Sequence, residues 1–318
     1  MTLTAAPTHT QGARPGRRKL GRPRLLIVGC GDVGLRIVAR LRARFRILGT
    51  ATTPASAAGI RAAGAVPLLL DLDQRAAPRH NARLARIGAL APRVLVMAPT
   101  SPSGARDART GRLLRLLPHR EGARLVYIST TGVYGDRQGR WADETALPMP
   151  GNDRSRRRLD AERQVRASRW HGAVLRVPGI YAAQRLPLER LRAGIPVPLP
   201  GADGYTNHIH AEDLARACIA ALHRAAPTRV YNTTDDTQLL LGQYLDLLAD
   251  SAQLPRPPRA DRATLRAAAG PQRMAFMDES RRVRNLRMKR ELRLRLAYPD
   301  IQAGLAAIYA SNRPSTDK

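Results

Sequence analysis

The sequence predicts an α/β protein: a Rossmann-type doubly wound parallel sheet with a small C-terminal α/β lobe. Three observations predict it. Short apolar runs alternate with helical patterns through the first half of the chain. The first of those runs ends in a glycine-rich turn that opens a helix. Past about residue 178 the alternation loosens and prolines gather, at 195–200 and again at 254–258.

The elements follow in chain order. Residues 1–23 contain no acid and read as a disordered basic tail. The run at 25–28 is short, wholly apolar and stopped by glycine, as a strand buried on both faces requires. Ile37, Val38 and Leu41 then mark the apolar face of a helix. Further strands read at 46–49, 65–70, 94–97, 125–128 and 173–177, with helical stretches at 113–117 and 159–170. Such alternation gives parallel pairing through right-handed crossovers, with ligands at the carboxyl ends of the strands. Residues 24–178 are therefore expected to form the dinucleotide-binding domain. Residues 179–311 form the smaller substrate lobe with interleaved Rossmann elements: a helix at 211–223, a strand around Val230, a helix at 240–248 and an arginine-rich helix near 280–289. Residues 312–318 read as a frayed tail.

Composition narrows the class. At 318 residues with 43% hydrophobic content, the chain can bury a real core. Its net charge of +29 attracts polyanions without specific contacts. The basic residues are nearly all arginine and run through almost every segment, and no helix-turn-helix, zinc-finger or RNA-binding signature accompanies them. Specific nucleic-acid recognition is not expected; weak, salt-sensitive adhesion is. Cys30 and Cys218 lie far apart and make neither a disulfide framework nor a zinc site, as suits a reducing compartment. No apolar run approaches the roughly 18 residues of a membrane span. Arg17 and Arg18 are followed by a run too short for an export signal. A cytoplasmic protein without a membrane partner is expected.

The chemistry centres on Gly29, Cys30, Gly31, Asp32, Val33 and Gly34, directly after a strand and opening a helix. In such a turn the first glycine permits the bend, the second lets the backbone approach a pyrophosphate, and the third lets the helix pack closely. The helix N-terminus offers free N–H groups to the phosphates. NAD or NADP is the cofactor expected, and no metal is. An NAD site usually carries an acid about 20 residues on, yet Gly49 to Thr53, including Thr52, has none; NADP is mildly favoured. Asp71, at the end of the third strand, either bonds the adenine amino group or is a solvated loop carboxylate. Cys30 reads as a small residue chosen for size. His208, His210 and Asp213 could be taken for a metal triad, but a strand end followed by a dipole-favoured helix start is the simpler reading.

With the turn, three stretches carry a resemblance: 127–135 (Tyr-Ile-Ser-Thr-Thr-Gly-Val-Tyr-Gly), 175–181 (Leu-Arg-Val-Pro-Gly-Ile-Tyr) and 207–215 (Asn-His-Ile-His-Ala-Glu-Asp-Leu-Ala). Together they resemble the extended short-chain dehydrogenase/reductase superfamily, and more narrowly its atypical bacterial branch of NAD-dependent epimerase/dehydratase or YeeZ-like proteins. The likeness covers about 24–305. It implies that Asp71 and Leu72 flank the adenine and that Ala98 and Pro99 line the cofactor cleft. By the same likeness Ser129 lies near the nicotinamide ribose and Pro178 near the carboxamide.

The family's catalytic set is a Ser or Thr four residues before the Tyr of its Val-Tyr-Gly, plus a Tyr-x-x-x-Lys pair on the next helix. Thr130 supplies the first, ahead of Tyr134. Counting back from Glu162, the pair's positions hold Arg154 and Arg158. The i, i+4 spacing keeps both on one helix face. A guanidinium holds its proton under ordinary conditions, so the acid/base chemistry is not carried over. Either the run 154–158 is a solvated basic face, with Arg157 as inert as its neighbours, or Arg158 meets the nicotinamide ribose and Arg154 an anionic substrate group. A proton relay would have to use Tyr134, Tyr181 or His208. The reading is an NAD(P)-dependent oxidoreductase acting on a small, anionic molecule, working as a homodimer. The alternatives are a nucleotide-sugar epimerase or dehydratase, a non-catalytic NAD(P) sensor and a basic nucleic-acid-associated protein.

Overall fold

The computed structural model describes residues 21–73, 91–119, 121–267 and 277–311, together with 82, 85, 86, 88 and 89. Nearly all of the basic tail and the whole frayed C-terminus lie outside the described residues. Seven strands build the sheet: β1 (Arg24–Val28), β2 (Arg46–Ala51), β3 (Val66–Leu69), β4 (Arg93–Val96), β5 (Arg124–Thr130), β6 (Ala173–Val177) and β7 (Val230–Asn232). Their order is β7-β6-β5-β4-β1-β2-β3 and every pairing is parallel. The order reverses between β1 and β4, and at such a point a doubly wound sheet opens a crevice for a ligand.

The apolar run in β1 shows why both faces are covered. Leu25 and Ile27 join one core with Ile37 and Val38 of α1 (Asp32–Leu41), while Leu26 and Val28 join a second core on the other face. Side chains alternate across a strand, so a continuous apolar run must have helices on both sides. α2 (Pro54–Ala62) contributes Ile60 to the first core. The second core is closed by Leu113 of α3 (Ala108–Leu116) and by Ala161 and Val165 of α4 (Asp153–Ala167). Among the described residues no helix is long and apolar enough to cross a membrane.

Three expectations need correction. α4 begins at Asp153, six residues before the expected start at 159, because its first buried positions are polar: Ser155 and Arg157 face inward, and the Asn152 side chain caps the helix by accepting the Ser155 N–H at 2.9 Å. The helix at 211–223 is α5 (Ala211–Arg224), and it packs on α1; the strand around Val230 is β7, paired to β6. Both therefore complete the main sheet and do not belong to the small lobe. The arginine-rich helix near 280–289 reduces to α7 (Leu286–Glu291), preceded by a short strand, Arg282–Val283, that pairs with Trp141–Ala142.

The small lobe keeps a core of its own, with Tyr181, Leu245 and Leu248 of α6 (Leu241–Ala252), and Leu305 of α8 (Ile301–Ser311). Short strand pairs join it to the sheet: Gly179–Tyr181 with His208–His210, and Tyr205–Thr206 with Leu239–Leu240. They bring 203–207 and 277–281 to the carboxyl ends of β5 and β6, where those segments share a cavity with Thr130 and Pro178.

Candidate functional site

The three glycines of the first turn play three different parts. Gly29 has φ of +85°, and a Cβ there would stand 2.6 Å from the Ala98 nitrogen, so only glycine fits. A Cβ on Gly34 would press on the Cys30 Sγ at 3.0 Å, and one on Gly49 of β2 would meet the same sulfur. That accounts for the small residue at 30, whose thiol burial pushes up to about 11. Gly31 has nothing within 4 Å of where its Cβ would sit. The protein itself leaves that space open.

The same turn leaves α1 uncapped. The N-cap residue is Gly31 and no side chain accepts a first-turn N–H, whereas α2, α3 and α4 are capped by Thr53, Asp107 and Asn152. Uncapped first-turn amides with the positive dipole end behind them suit a phosphate. Thr50, buried at the end of β2, holds the turn in place by accepting the Gly29 N–H at 2.8 Å.

Beside the turn lies a cavity of about 520 Å³ lined by Gly29, Cys30, Gly31, Thr52, Asp71, Leu72, Ala98 and Pro99. Eight of the residues expected from the sequence meet there. Thr50, Ser56 and Arg109 line it too and were not expected. Arg109 is tied by its Nε to Asp73 Oδ1 at 2.6 Å and by Nη1 to the Thr100 carbonyl at 3.0 Å. Asp32, Val33 and Gly34 do not line the cavity. The Asp32 carboxylate instead accepts from Arg36, Gln184 and Arg185, and the other two are buried against the sheet, so any role left to them is through the backbone.

A second cavity, about 560 Å³, opens at the ends of β5 and β6. Thr130, Arg154 and Pro178 line it, with Asn152, Arg157, Asp203, Tyr205, Asn207, Glu279 and Arg281. Arg157 corrects the expectation of an inert neighbour: it is buried, its Nη1 donates to the Gly104 carbonyl at 2.8 Å, and its Nε has no acceptor. Arg281 is also buried, donates to Glu279 at 2.7 Å and to the Gly135 carbonyl at 2.9 Å, and keeps its Nε without an acceptor. Glu279 also accepts from Asn152 at 3.2 Å. Asp203 is taken by the backbone amides of Gly204 and Gly242; burial raises its pKa against those bonds.

Arg158 lines neither cavity. Its Nη1 donates to the Ile128 carbonyl at 2.8 Å and the Tyr127 hydroxyl at 3.1 Å, tying it to the carboxyl-terminal part of β5. Burial pushes that phenol up to about 12 although the guanidinium favours its ionised form, so the tyrosine stays neutral.

Ser129 and Tyr134 lie elsewhere. The Ser129 hydroxyl donates to Glu162 Oε1 at 2.5 Å, because a carboxylate only 1% exposed takes every donor within reach. Ser129 lines neither cavity. Tyr134 is wholly buried, its hydroxyl donates to Asn232 Oδ1 at 2.7 Å and the Arg176 guanidinium lies over its ring, so it lines neither cavity. Tyr181 donates to the Asp300 carbonyl within the lobe core. His208 stacks on Tyr244 with centroids 4.2 Å apart, and burial pushes its imidazole down to about 3. None of the three relay candidates opens into the cavity. His210 and Asp213 diverge as well: the first caps α5 through Nδ1, and the second accepts the amides of Ala297 and Tyr298.

The chain aligns with several solved structures. It covers 99% of a functionally unknown conserved protein from Silicibacter pomeroyi DSS, using 91% of its own length, at 32% identity and a TM-score of 0.78. A protein from Methylobacillus flagellatus, provisionally named an NAD-dependent epimerase/dehydratase, is 27% identical with a TM-score of 0.67, covering 92% of this chain and 99% of that one. UDP-glucuronic acid 4-epimerase from Bacillus cereus, solved in complex with NAD, matches at a TM-score of 0.68 over 90% of this chain and 97% of its own. At 16% identity that last likeness speaks to the fold alone. No protein-family model and no curated protein matches the chain.

Proposed function

Because this chain belongs to the NAD-dependent epimerase/dehydratase family of the extended short-chain dehydrogenases/reductases, we propose that it is an NAD(P)-dependent oxidoreductase acting by hydride transfer on a small anionic molecule. The observation that carries this reading is the open space at Gly31 in front of an uncapped helix, in a turn otherwise packed against Ala98 and Cys30. A bound nicotinamide dinucleotide supplies hydride acceptance and return. The first-turn amides of α1 hold its pyrophosphate, and Asp71 and Leu72 flank the adenine. Pro178 and Thr130 bound the nicotinamide side, where the second cavity receives the substrate. Arg154 and Arg157 hold the substrate's anionic group there. Neither arginine can serve as the base; Glu279, the carboxylate of the cavity whose partners are side chains alone, is the group left to accept a substrate proton.

Arg158 stands in for the family's lysine at the nicotinamide ribose in this reading. Its charge-assisted bonds are worth roughly 1.5–3 kcal/mol, about ten- to a hundred-fold in affinity. Arg158→Ala is expected to weaken NADPH binding by that factor in a calorimetric titration. Arg156→Ala, an exposed change on the same helix, is expected to leave it unaltered. Equal affinities in the two variants would remove Arg158 from the cofactor site.

The finer choice of cofactor is NADP. What supports it is the absence of a carboxylate at the end of β2, where the hydroxyls of Thr52 and Ser56 line the adenosine-side cavity. A difference of about 1 kcal/mol, roughly fivefold, is expected in favour of NADPH in a direct competition. Tighter NADH binding would reverse the choice. Epimerisation or dehydration of a nucleotide sugar is the second reading, favoured by the provisional epimerase/dehydratase name of the 27% identical Methylobacillus flagellatus protein. A cofactor sensor without chemistry is the third, favoured by the arginines at the acid/base positions; turnover of the bound dinucleotide separates it from both enzymes.

A further inference from the structure

A third cavity, of about 470 Å³, lies on the flank of the molecule and shares no lining residue with the two above. The loop 144–148, the α4 residues Leu159, Glu162, Arg163 and Arg166, and the start of β7 enclose it. Five guanidinium groups line it: Arg163, Arg166, Arg176, Arg229 and Arg287. Its two carboxylates are already engaged. Glu162 is held by Arg176 and Ser129; Glu144 accepts the Asn232 N–H at 2.9 Å and has its other oxygen 3.7 Å from Arg287.

The donors are not matched in the same way. Arg229 is occupied by Glu291, and Arg287 donates to the Val230 carbonyl at 3.0 Å. The Arg163 side chain makes no hydrogen bond or ion pair with any described residue, and the Arg166 side chain uses only its Nε, on the Thr228 carbonyl at 2.9 Å. Arg176 is 3% exposed and lies over the Tyr134 ring, yet its Nη1 has no oxygen acceptor within hydrogen-bond geometry. An arginine-rich chain scatters guanidinium groups into water at little cost. Burying one with a donor unmatched is unfavourable unless something accepts from it. An oxyanion is what a fork of guanidinium donors matches best.

We propose that this flank pocket is a second ligand site, separate from the cofactor and substrate cavities, that takes a compact oxyanion of the phosphate class. The proposal does not depend on the reading of the dinucleotide turn. Its test is a calorimetric titration with inorganic phosphate and with pyrophosphate at constant ionic strength set by sodium chloride. The intact chain is expected to bind pyrophosphate more tightly than phosphate. The double change Arg163→Ala, Arg166→Ala removes two exposed donors and leaves the buried Arg176–Glu162 pair in place, so the fold is kept. It is expected to weaken pyrophosphate binding about tenfold. Arg44→Ala, an exposed change in the turn after α1, is expected to bind as the intact chain does. Undiminished binding in the double variant overturns the proposal, as does absence of binding to the intact chain. A loss of the same size in Arg44→Ala would make the uptake a diffuse effect of net charge, and a loss confined to Arg154→Ala would move the anion into the cleft; either result also overturns it.

Discussion

Glu162→Ala is expected to lower the stability of the chain by about 3–5 kcal/mol, the largest loss from any single side chain considered. The carboxylate is buried between the α4 backbone and the sheet, bidentate to Arg176 at 2.8 and 3.1 Å and accepting from Ser129 at 2.5 Å. Burial alone lowers the pKa of Arg176, but the hydrogen bonds and charge of Glu162 outweigh it and hold the guanidinium above its ordinary range. Removing the carboxylate leaves a buried cation facing the ring of Tyr134 and an unmatched hydroxyl at Ser129. The cost comes from the charge left behind more than from the bond lost, which sets a second expectation. The pair Glu162→Leu with Arg176→Met removes both charges and is expected to be less destabilised than Glu162→Ala alone. Urea unfolding monitored by circular dichroism measures both. A loss under about 1 kcal/mol in the single variant would show that water reaches the pair and screens it.

The sheet was readable in the sequence because its central strands are buried on both faces. A run such as Leu25 to Val28 is apolar without interruption, and nothing else of that length is followed by three spaced glycines. The start of α4 was not readable. Its inward positions carry Ser155, Arg157 and Glu162, so hydrophobic spacing is blind to it, although Asn152 was there as a cap signal. The same blindness hid Arg157: on a helix so rich in arginine, the buried guanidinium and the solvated ones look alike in one dimension. The cavity beside the glycine turn was legible at Thr52 and Asp71, which follow strand ends, while Leu72, Ala98 and Pro99 were placed there by family likeness. Arg109, Glu279 and Arg281 were not legible, because each reaches its cavity from far along the chain and by a route that no local pattern encodes. Ser129 was placed at the cleft by family likeness and Tyr134 was named as a relay candidate; Glu162 takes the hydroxyl of the first, and Asn232 holds the second.

The measurement that bears most directly on the central claim is the NADPH affinity of Gly31→Val, taken with its thermal unfolding curve. In the structure a side chain at this position meets no protein atom within 4 Å, and Gly31 has φ of −86°, which any residue adopts. Valine in place of glycine at an N-cap costs at most about 1 kcal/mol. Valine would, however, stand where the pyrophosphate must approach the backbone, and a steric block there removes the bound pose altogether. NADPH binding is expected to fall by more than about a hundred-fold, beyond detection by calorimetry for an ordinary micromolar site, while the unfolding midpoint moves by only a few degrees. An unaltered affinity in a folded Gly31→Val protein would contradict this expectation, and would leave the glycine turn as a structural bend with no cofactor to accommodate.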